Sequence, residues 1–221
     1  MAAHLWGVVP GPLLKKISIV SMSCVIDGVI GAPGPRSRAG DAIRAGGPRE
    51  RVFLSLGSNV GRRPDNLRRA LLLIAAEPGI RVVAVSRLYS TSPVGYTPQR
   101  EFLNGVVELR TSLSPRDLLE RLKGIEARMG KATPFRNGPR RIDIDVLLFG
   151  RRRVRERGLV VPHPRMHVRR FVLEPLAEIA PRTVHPVLRR TAARLLARLA
   201  PGERVRAWGS WAAGDRPRRG G

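Results

Sequence analysis

The chain contains little of several residue types on which common functional sites depend. Cys24 is the single cysteine among 221 residues, so an intramolecular disulfide and a cysteine-based zinc site are both excluded. The four histidines show no HExxH spacing, which disfavours a histidine-held metal. Aromatic residues make up 5% of the chain, too few for the rows of exposed rings on which single-stranded nucleic acids stack. No apolar stretch reaches the roughly 20 residues of a membrane-spanning helix, and we expect a cytoplasmic protein with no membrane partner.

Acidic residues are also scarce. The chain has 17 Asp and Glu against 41 Lys and Arg, which gives a formal net charge of +24. Such an excess predicts attraction to a polyanion, whether nucleic acid, nucleotide or anionic membrane, without choosing among them. Only four of the basic residues are Lys, so the arginine content also fits a bias in genomic base composition. A nucleic-acid-binding protein therefore stays open as the alternative to an enzyme.

The two ends of the chain differ in composition from its middle. Residues 1–50 mix a short apolar run, Ile17 to Ile26, with a stretch rich in Gly, Pro and Arg. This mixture predicts a disordered extension or a start site assigned too early. Residues 201–221 are polar and rich in Gly and Arg, which predicts a disordered basic tail. Residues 51–200 carry regular apolar patterns, and we expect them to form one folded domain.

Helix and strand patterns are mixed within this domain. Strands are predicted over Val52–Leu56, Arg81–Tyr89, Phe102–Thr111 and the segment with Asp143 and Asp145, with a hairpin partner for the last over Arg153–Val161. Helices are predicted over Asp65–Glu77, from Ser114-Pro115 to Gly130, and over about Val187–Leu199. The apolar positions of the first two helices recur at helical spacing: Leu67, Ala70, Leu71, Ile74, Leu118, Leu122, Ile125 and Met129. Because strands and helices do not alternate strictly, an α+β sandwich is favoured over a doubly wound sheet.

Residues 136–149 are the most informative segment of the chain. They read RNGPRRIDIDVLLF, with two carboxylates inside an apolar, β-branched stretch. Because successive side chains of a strand alternate between its faces, Asp143 and Asp145 share one face and the neighbouring apolar residues share the other. Paired carboxylates suit Mg²⁺, which also takes oxygen ligands from substrate phosphates, and Arg140 supplies a guanidinium that matches phosphate oxygens. The alternative is a solvent-exposed polar face on an edge strand.

Three further segments carry candidate binding residues. The loop Tyr89–Gly95 leads to Phe102 and Asn104, a ring and an amide suited to a flat heterocycle, although a core position for Phe102 is the alternative. The segment Val161–Phe171 presents three arginines and two histidines in a loop stiffened by prolines, which suits a triphosphate. Glu126 lies at the border of a helix's apolar stripe, where an ordinary surface glutamate is the alternative. No GxxxxGK[ST] phosphate loop occurs, so nucleotide binding would depend on carboxylate-held Mg²⁺ and arginines.

The order and spacing of these segments resemble those of the 6-hydroxymethyl-7,8-dihydropterin pyrophosphokinases, enzymes of folate biosynthesis. The matching segments span about residues 51–185: LGSN at 56–59, YSTSPVG at 89–95, FLN at 102–104, IE at 125–126, GPRRIDID at 138–145, PHPRM at 162–166 and EIAP at 178–181. The pattern GPRxxDxD is specific to that family. The resemblance implies a ferredoxin-like α+β sandwich, in which helices pack on a mainly antiparallel sheet and mobile loops close over the substrates.

The resemblance also implies an activity and residue roles. Such enzymes transfer the β,γ-pyrophosphoryl group of ATP to the hydroxymethyl oxygen of the pterin and release AMP. Asp143 and Asp145 are then expected to hold two Mg²⁺ ions, and Arg140, His163 and Arg169 to act on the ATP phosphates as catalytic residues. Pterin binding is implied for Thr91, Val94, Phe102, Asn104 and Phe171, and ATP binding for Glu126, Lys131, Arg140, Val146, His163 and Arg169. The expected partners are ATP and the pterin, with no specific nucleic acid, and the expected state is a monomer.

The loop before the carboxylate strand departs from the family pattern. Lys131 stands where many members have arginine, and a further arginine of the family has no clear counterpart across Ala132–Arg136. Asn137 and Pro164 replace aromatic residues that some members carry. The metal-binding pair is therefore better defined by the resemblance than the phosphate contacts of this loop.

Overall fold

A computed structural model describes residues 49–93, 98–130 and 138–212. The disordered extension predicted for residues 1–50 therefore falls outside the described residues, apart from Arg49 and Glu50. Within the described ranges, no helix combines the length and the apolar character that crossing a membrane requires.

Six strands of this part of the chain form one antiparallel sheet. The described residues contain eight strands in all, two of which lie outside this sheet: β1 (Glu50–Ser58), β2 (Ile80–Val85), β3 (Leu88–Thr91), β4 (Phe102–Thr111), β5 (Asp143–Phe149), β6 (Val154–Glu156), β7 (Leu159–Val161) and β8 (Val205–Gly209). The sheet has the order β5-β1-β4-β3-β8, and β2 pairs with β4 beside β3. Strands β6 and β7 form a separate hairpin.

The described residues also form four α-helices, which are α1 (Arg63–Ala75), α2 (Pro115–Arg128), α3 (Arg170–Ile179) and α4 (Ala192–Ala197), and a short 3-10 helix over Met166–Val168. The chain order β1-α1-β2-β4-α2-β5 and the spatial order β5-β1-β4-β2 give two βαβ units interleaved in one antiparallel sheet, which is the ferredoxin-like arrangement. The predicted α+β sandwich of a mainly antiparallel sheet with helices packed on it is confirmed.

Each face of the sheet is covered by its own apolar cluster. Val52, Leu54 and Leu56 of β1 point toward α1 and α2, whose predicted apolar positions are all buried. Phe53 points the other way, into a cluster with α3 and α4. The alternation continues along β1, so Ser55 and Gly57 lie on the same face as Phe53. That end of the face opens into the pocket described below.

Three predicted segments differ from the structure. The strand predicted over Arg81–Tyr89 is two strands, because Ser86 between them bonds Val106 twice, through its own N–H and through its hydroxyl, and shifts the pairing. The predicted partner of β5 over Arg153–Val161 is instead the β6–β7 hairpin, whose tight turn uses Gly158 at a φ of 76°. The final predicted helix is shortened to α4, since Thr191 caps it by accepting the N–H of Arg194.

Two larger differences from the sequence predictions concern the C-terminal tail and one helix that was not predicted. Residues 201–212 are not disordered, because β8 pairs with β3 and Trp211 is buried against the sheet. Residues 213–221 lie outside the described residues. Helix α3 was not predicted; it contains Pro175, which lacks the N–H that a helix interior uses, and it begins in an arginine-rich segment.

Candidate active site

The sheet pocket lies on the face of the sheet that carries Phe53, at the end that α3 leaves open. Strands β1, β3, β4 and β5 form its floor, and the segment before α3 forms one wall. Its lining residues are Ser55, Gly57, Thr91, Ser92, Gln99, Phe102, Asn104, Arg140, Asp143, Asp145, Arg165, Arg169 and Phe171. This set includes most of the residues that the resemblance assigns to catalysis and pterin binding.

Asp143 and Asp145 lie on β5, the edge strand that pairs with β1. In the antiparallel pairing of β1 with β5, Asp143 lies opposite Gly57 and Asp145 opposite Ser55. Both carboxylates line the sheet pocket, so they are part of a pocket wall and not a plain solvent-exposed face. Burial, with the charge of Asp143 second, raises the pKa of Asp145 to about 6. The site therefore holds two like charges that a cation would stabilise.

Arg140 is fixed beside the carboxylates by its backbone. Its N–H donates to Oδ1 of Asn59 at 2.8 Å, and its carbonyl accepts the N–H of Asn59 at 3.2 Å. The guanidinium is 3.3 Å from Asp143 and stacks on the ring of Phe102 at 5.4 Å. Its Nε is buried and has no hydrogen-bond partner among the described residues. A buried donor of this kind is costly to leave unpaired, and a phosphate or carbonyl oxygen of a ligand would satisfy it.

His163 is held as a neutral donor. Nδ1 accepts the N–H of Arg165 at 3.2 Å, so the proton of the neutral ring is on Nε2, which lies 4.0 Å from Oδ2 of Asp145. Burial, followed by the charges of Arg169 and Arg165, lowers the pKa of His163 to about 4. The imidazole is therefore uncharged at neutral pH and offers one N–H toward the carboxylate pair.

Arg165 and Arg169 also line the sheet pocket. The guanidinium of Arg169 stacks on the ring of Phe171 at 5.3 Å. Burial and then the neighbouring charge of Arg165 lower the pKa of Arg169, but an arginine remains charged at neutral pH. Together with Arg140, these residues place three guanidinium groups around the carboxylates, an arrangement that matches a polyphosphate.

A polar edge lies deeper in the sheet pocket. Asn104 is 5% exposed, and its amide nitrogen donates to the hydroxyl of Thr91 at 2.7 Å. A Cβ at Gly57 would lie 2.6 Å from Oδ1 of Asn104, so glycine is required on the neighbouring strand for the amide to fit. Phe102 and Phe171 line the same pocket and are only half-buried. Exposed rings beside a fixed amide suit a flat, polar-edged ring system, and the core alternative for Phe102 is not what the structure shows.

A second pocket, the edge pocket, lies between α2, the outer edge of β5 and the β6–β7 hairpin. Its lining residues are Leu119, Lys123, Ile144, Asp145, Val146, Gly158, Leu159, Val160, His163 and Pro164. Asp145 is therefore shared by the two pockets. Val146, predicted to bind ATP, lies here.

Glu126 is buried, so the alternative that it is an ordinary surface glutamate is wrong. It is 1% exposed, and its carboxylate accepts the N–H of Ile144 on β5 at 2.8 Å and an ammonium N–H of Lys123 at 2.7 Å. Glu126 thus joins α2 to β5 and holds Lys123 at the rim of the edge pocket. Direct contact between Glu126 and a nucleotide would require this arrangement to open.

Some predicted site residues are not covered, and some lining residues were not predicted. Val94 and Lys131 lie outside the described residues. Ser55, Gln99 and Arg165 line the sheet pocket but were not assigned a role. The sequence did indicate Ser55, because a serine between buried apolar strand residues marks a position where that face of the strand is not packed against the apolar core. Gln99 could not have been found without the contact that its side-chain carbonyl makes with Asn59, 40 residues earlier.

The family model for 7,8-dihydro-6-hydroxymethylpterin-pyrophosphokinase (HPPK) matches residues 53–181. The chain belongs to this family. The family that the sequence motifs predicted is thus confirmed, and the HPPK match includes every lining residue of both pockets.

Curated relatives agree with the HPPK assignment. The chain is 48% identical over 128 residues to the 2-amino-4-hydroxy-6-hydroxymethyldihydropteridine pyrophosphokinase of Bacillus subtilis, with 58% of this chain and 77% of that protein covered. It is 50% identical over 131 residues to the enzyme of the same name from Methylorubrum extorquens, with 59% and 83% covered. It is also 44% identical over 128 residues to a mitochondrial folate synthesis bifunctional protein of Arabidopsis thaliana, of which it covers 23%.

Solved structures support the fold. A crystal structure of Plasmodium falciparum HPPK-DHPS with pterin and p-hydroxybenzoate is similar with a TM-score of 0.56 and 18% sequence identity. The similarity covers 72% of this chain and 45% of that chain, so the chain spans less than half the length of this structural relative.

Proposed function

We propose that this chain transfers the β,γ-pyrophosphoryl group of ATP to the hydroxymethyl group of 6-hydroxymethyl-7,8-dihydropterin and releases AMP, as a step of folate biosynthesis. The proposal takes the substrate from the names of its HPPK relatives. It further takes the enzyme to be a cytoplasmic monomer that uses Mg²⁺ and needs neither a nucleic acid nor a membrane.

The observation that carries this proposal is the meeting of two pockets at Asp145. A transfer between two substrates requires the reacting groups to meet while each substrate keeps its own binding surface. The sheet pocket has the rings and the amide for a pterin, and the edge pocket has apolar walls and Lys123 for a nucleotide. The carboxylates and arginines lie where a phosphate chain would pass from one pocket to the other.

In the sheet pocket, Phe102 and Phe171 would stack on the pterin, and Asn104 with Thr91 would bond its polar edge. Because Asn104 already donates to Thr91, its amide orientation is set before the ligand arrives, and its carbonyl oxygen is left to accept from the pterin. A preset orientation reduces the entropy lost on binding. Val94 is assigned to the same surface by the family pattern alone.

In the edge pocket, Val146 and its apolar neighbours would contact the base of ATP, and Arg140, His163 and Arg169 would contact its phosphates. The arginines remain charged throughout, whereas His163 stays neutral and donates from Nε2. Such groups act through positioning and charge, which are the main contributions to phosphoryl-type transfer. Lys131 is retained as an ATP-binding residue on the family pattern, and Glu126 would act through Lys123 and β5.

Asp143 and Asp145 fit a magnesium site that is completed by the substrate. Among the described residues, no third His, Cys, Asp or Glu joins them in a group able to hold a metal ion by itself. This donor set matches Mg²⁺, which commonly takes one or two carboxylates and completes its shell with phosphate oxygens and water. Two Mg²⁺ ions bound there would offset phosphate charge and lower the pKa of the attacking hydroxyl.

The direct test is to identify the nucleotide product. The purified chain is incubated with Mg²⁺ and ATP, with and without 6-hydroxymethyl-7,8-dihydropterin, and the nucleotides are separated by chromatography. We expect AMP, formed only when the pterin is present and in equal amount to the pterin pyrophosphate. ADP as the product would mean ordinary phosphoryl transfer and would contradict the proposal. A folded sample with no turnover would also contradict it and would favour the polyanion-binding alternative.

A further inference from the structure

The C-terminal segment beyond the HPPK match contacts two separate parts of the sheet pocket, the start of α3 and the end of β3. The match ends at residue 181, whereas Glu203 and Arg204 follow 22 residues later and precede β8. These two consecutive residues bond two different pocket segments, one at the start of α3 and one at the end of β3. The segment thus links parts of the pocket that are about 80 residues apart in the chain.

Glu203 caps the first turn of α3. Oε2 of Glu203 accepts the N–H of Phe171 at 3.2 Å. The helix has no acidic residue in its first turn, and its N-cap residue, Arg169, makes no side-chain capping bond. A carboxylate at this position satisfies a backbone donor that the helix itself leaves unpaired and interacts favourably with the helix dipole. Its charge also acts on Arg169, which stacks on the ring of Phe171.

Arg204 and β8 bond the part of the pocket at the end of β3. The carbonyl of Arg204 accepts the N–H of Ser92 at 3.2 Å, directly after Thr91 at the end of β3. Two residues after Arg204, Arg206 forms an ion pair with Glu101 at 3.1 Å, and the carboxylate of Glu101 accepts the hydroxyl O–H of Ser90 at 2.6 Å. The backbone that borders the polar edge of the pocket is therefore fixed from the same short segment that caps α3.

We infer that Glu203 is a positioning residue for the pterin site: by fixing the backbone of Phe171 against a segment that is itself bonded to the end of β3, it sets the separation between the ring of Phe171 and the polar edge at Thr91 and Asn104. This inference rests on the proposed function. Glu203 itself does not line the sheet pocket, so its effect on the substrate passes through Phe171. The charge of Glu203 influences Arg169 less than burial and the charge of Arg165 do, so a change at Glu203 acts mainly on pterin binding.

The test compares three variants of the full chain in steady-state assays of AMP formation. Glu203→Ala removes the cap, Glu203→Gln keeps an oxygen that can accept the Phe171 N–H, and Glu174→Ala removes a different carboxylate of the same helix, one that pairs with Arg170 at 3.5 Å. We expect Glu203→Ala to raise the KM for the pterin by about fivefold or more, the effect of losing an N-terminal cap. We expect its kcat and its KM for ATP to stay within about twofold. Glu203→Gln should restore the pterin KM, and Glu174→Ala should leave it unchanged.

The outcomes separate this inference from the proposed function. A wild-type enzyme that releases AMP, together with a Glu203→Ala variant of unchanged pterin KM, overturns the inference and leaves the function standing. Equal losses for pterin and ATP, or failure of Glu203→Gln to restore the pterin KM, overturn it as well. If the wild type does not turn over, the function fails, and amide hydrogen exchange at Phe171 decides the contact: exchange as slow in Glu203→Ala as in the wild type overturns the inference.

Discussion

At position 145 the sheet holds a carboxylate that folding alone would not favour. Burial and the neighbouring charge of Asp143 raise the pKa of Asp145 from 3.8 to about 6. Between these values the folded protein binds more protons than the unfolded chain, so the contribution of this group to stability falls as the pH rises through that window and is lowest above about pH 6. The Asp145 side chain is 40% exposed, so solvent screens much of this charge effect. The ionised carboxylate then destabilises the folded protein by about 1 kcal/mol at neutral pH.

The Asp145 carboxylate lowers stability but is needed to bind the proposed metal, so we expect Asp145→Asn to have opposite effects on stability and on activity. In metal-free buffer at pH 7.5 we expect the melting temperature to rise by about 2–4 °C, since the variant keeps the volume and removes the charge. We expect kcat to fall by about 10³-fold, because removing a metal ligand costs several kcal/mol of charge stabilisation. Thermal melts and the AMP assay measure both quantities.

The pH dependence of the melts is the control for this prediction. The gain in melting temperature should shrink as the pH falls from 7.5 through 6 to 4, because the wild-type carboxyl then becomes protonated and loses its own charge. Asp65→Asn, at an exposed position on α1, is a matched comparison that should keep its activity. A lower melting temperature for Asp145→Asn at pH 7.5, or near-full activity, would contradict the argument.

At the scale of elements, β8 depends on one side chain that follows it. Trp211 is 7% exposed, and its indole N–H donates to the carbonyl of Ser86 at 2.6 Å. A Cβ at Gly105 would lie 2.6 Å from Cζ2 of Trp211, so the indole fills space that only a glycine in β4 leaves open. The side chain of Arg68 on α1 also donates to the carbonyl of Trp211 at 2.9 Å. The C-terminal strand is therefore held by the contacts of Trp211 with α1 and the sheet as well as by its pairing with β3.

We expect Trp211→Ala to reduce the free energy of unfolding by about 3 kcal/mol or more, the usual cost of deleting a large buried aromatic side chain. Trp211→Phe should cost about 1 kcal/mol, since it keeps most of the packing and loses one hydrogen bond. Urea titrations followed by circular dichroism provide both values. A Trp211→Ala variant as stable as the wild type would mean that β8 contributes nothing to the folded state.

The elements also show what the sequence could predict and what it could not. Strand β4 and the buried positions of α1 and α2 follow from local patterns, and Ser114 caps α2 as predicted by accepting the N–H of Asp117 at 3.1 Å. Strand β8 could not be predicted, because its sequence VRAWG has no clean alternation and its stability comes from Trp211 and from pairing with β3 more than 100 residues earlier. The carboxylate pair was visible as a strand pattern, but the shared position of Asp145 between two pockets depends on where α2 and the β6–β7 hairpin pack.

At the scale of the whole molecule, the charge of +24 should act on the nucleotide and not on the pterin. A strongly positive protein attracts a polyanionic substrate over distances of about one Debye length, which is roughly 10 Å at 0.1 M salt and 3 Å at 1 M. The arginines near Asp143 and Asp145 concentrate this attraction where the two pockets meet. The pterin carries no net charge at neutral pH and provides an internal comparison within the same assay.

We therefore expect the KM for ATP to rise several-fold between 0.05 and 0.5 M KCl, at a fixed free Mg²⁺ concentration, with kcat and the KM for the pterin nearly constant. Potassium acetate at equal ionic strength should give the same result, which separates screening from a specific effect of chloride. A KM for ATP that does not change with salt would mean that the excess arginines lie too far from the site to matter, and that the net charge has no part in nucleotide binding. Equal rises of both KM values would point instead to a salt effect on the folded state, since screening alone cannot weaken the binding of a neutral substrate.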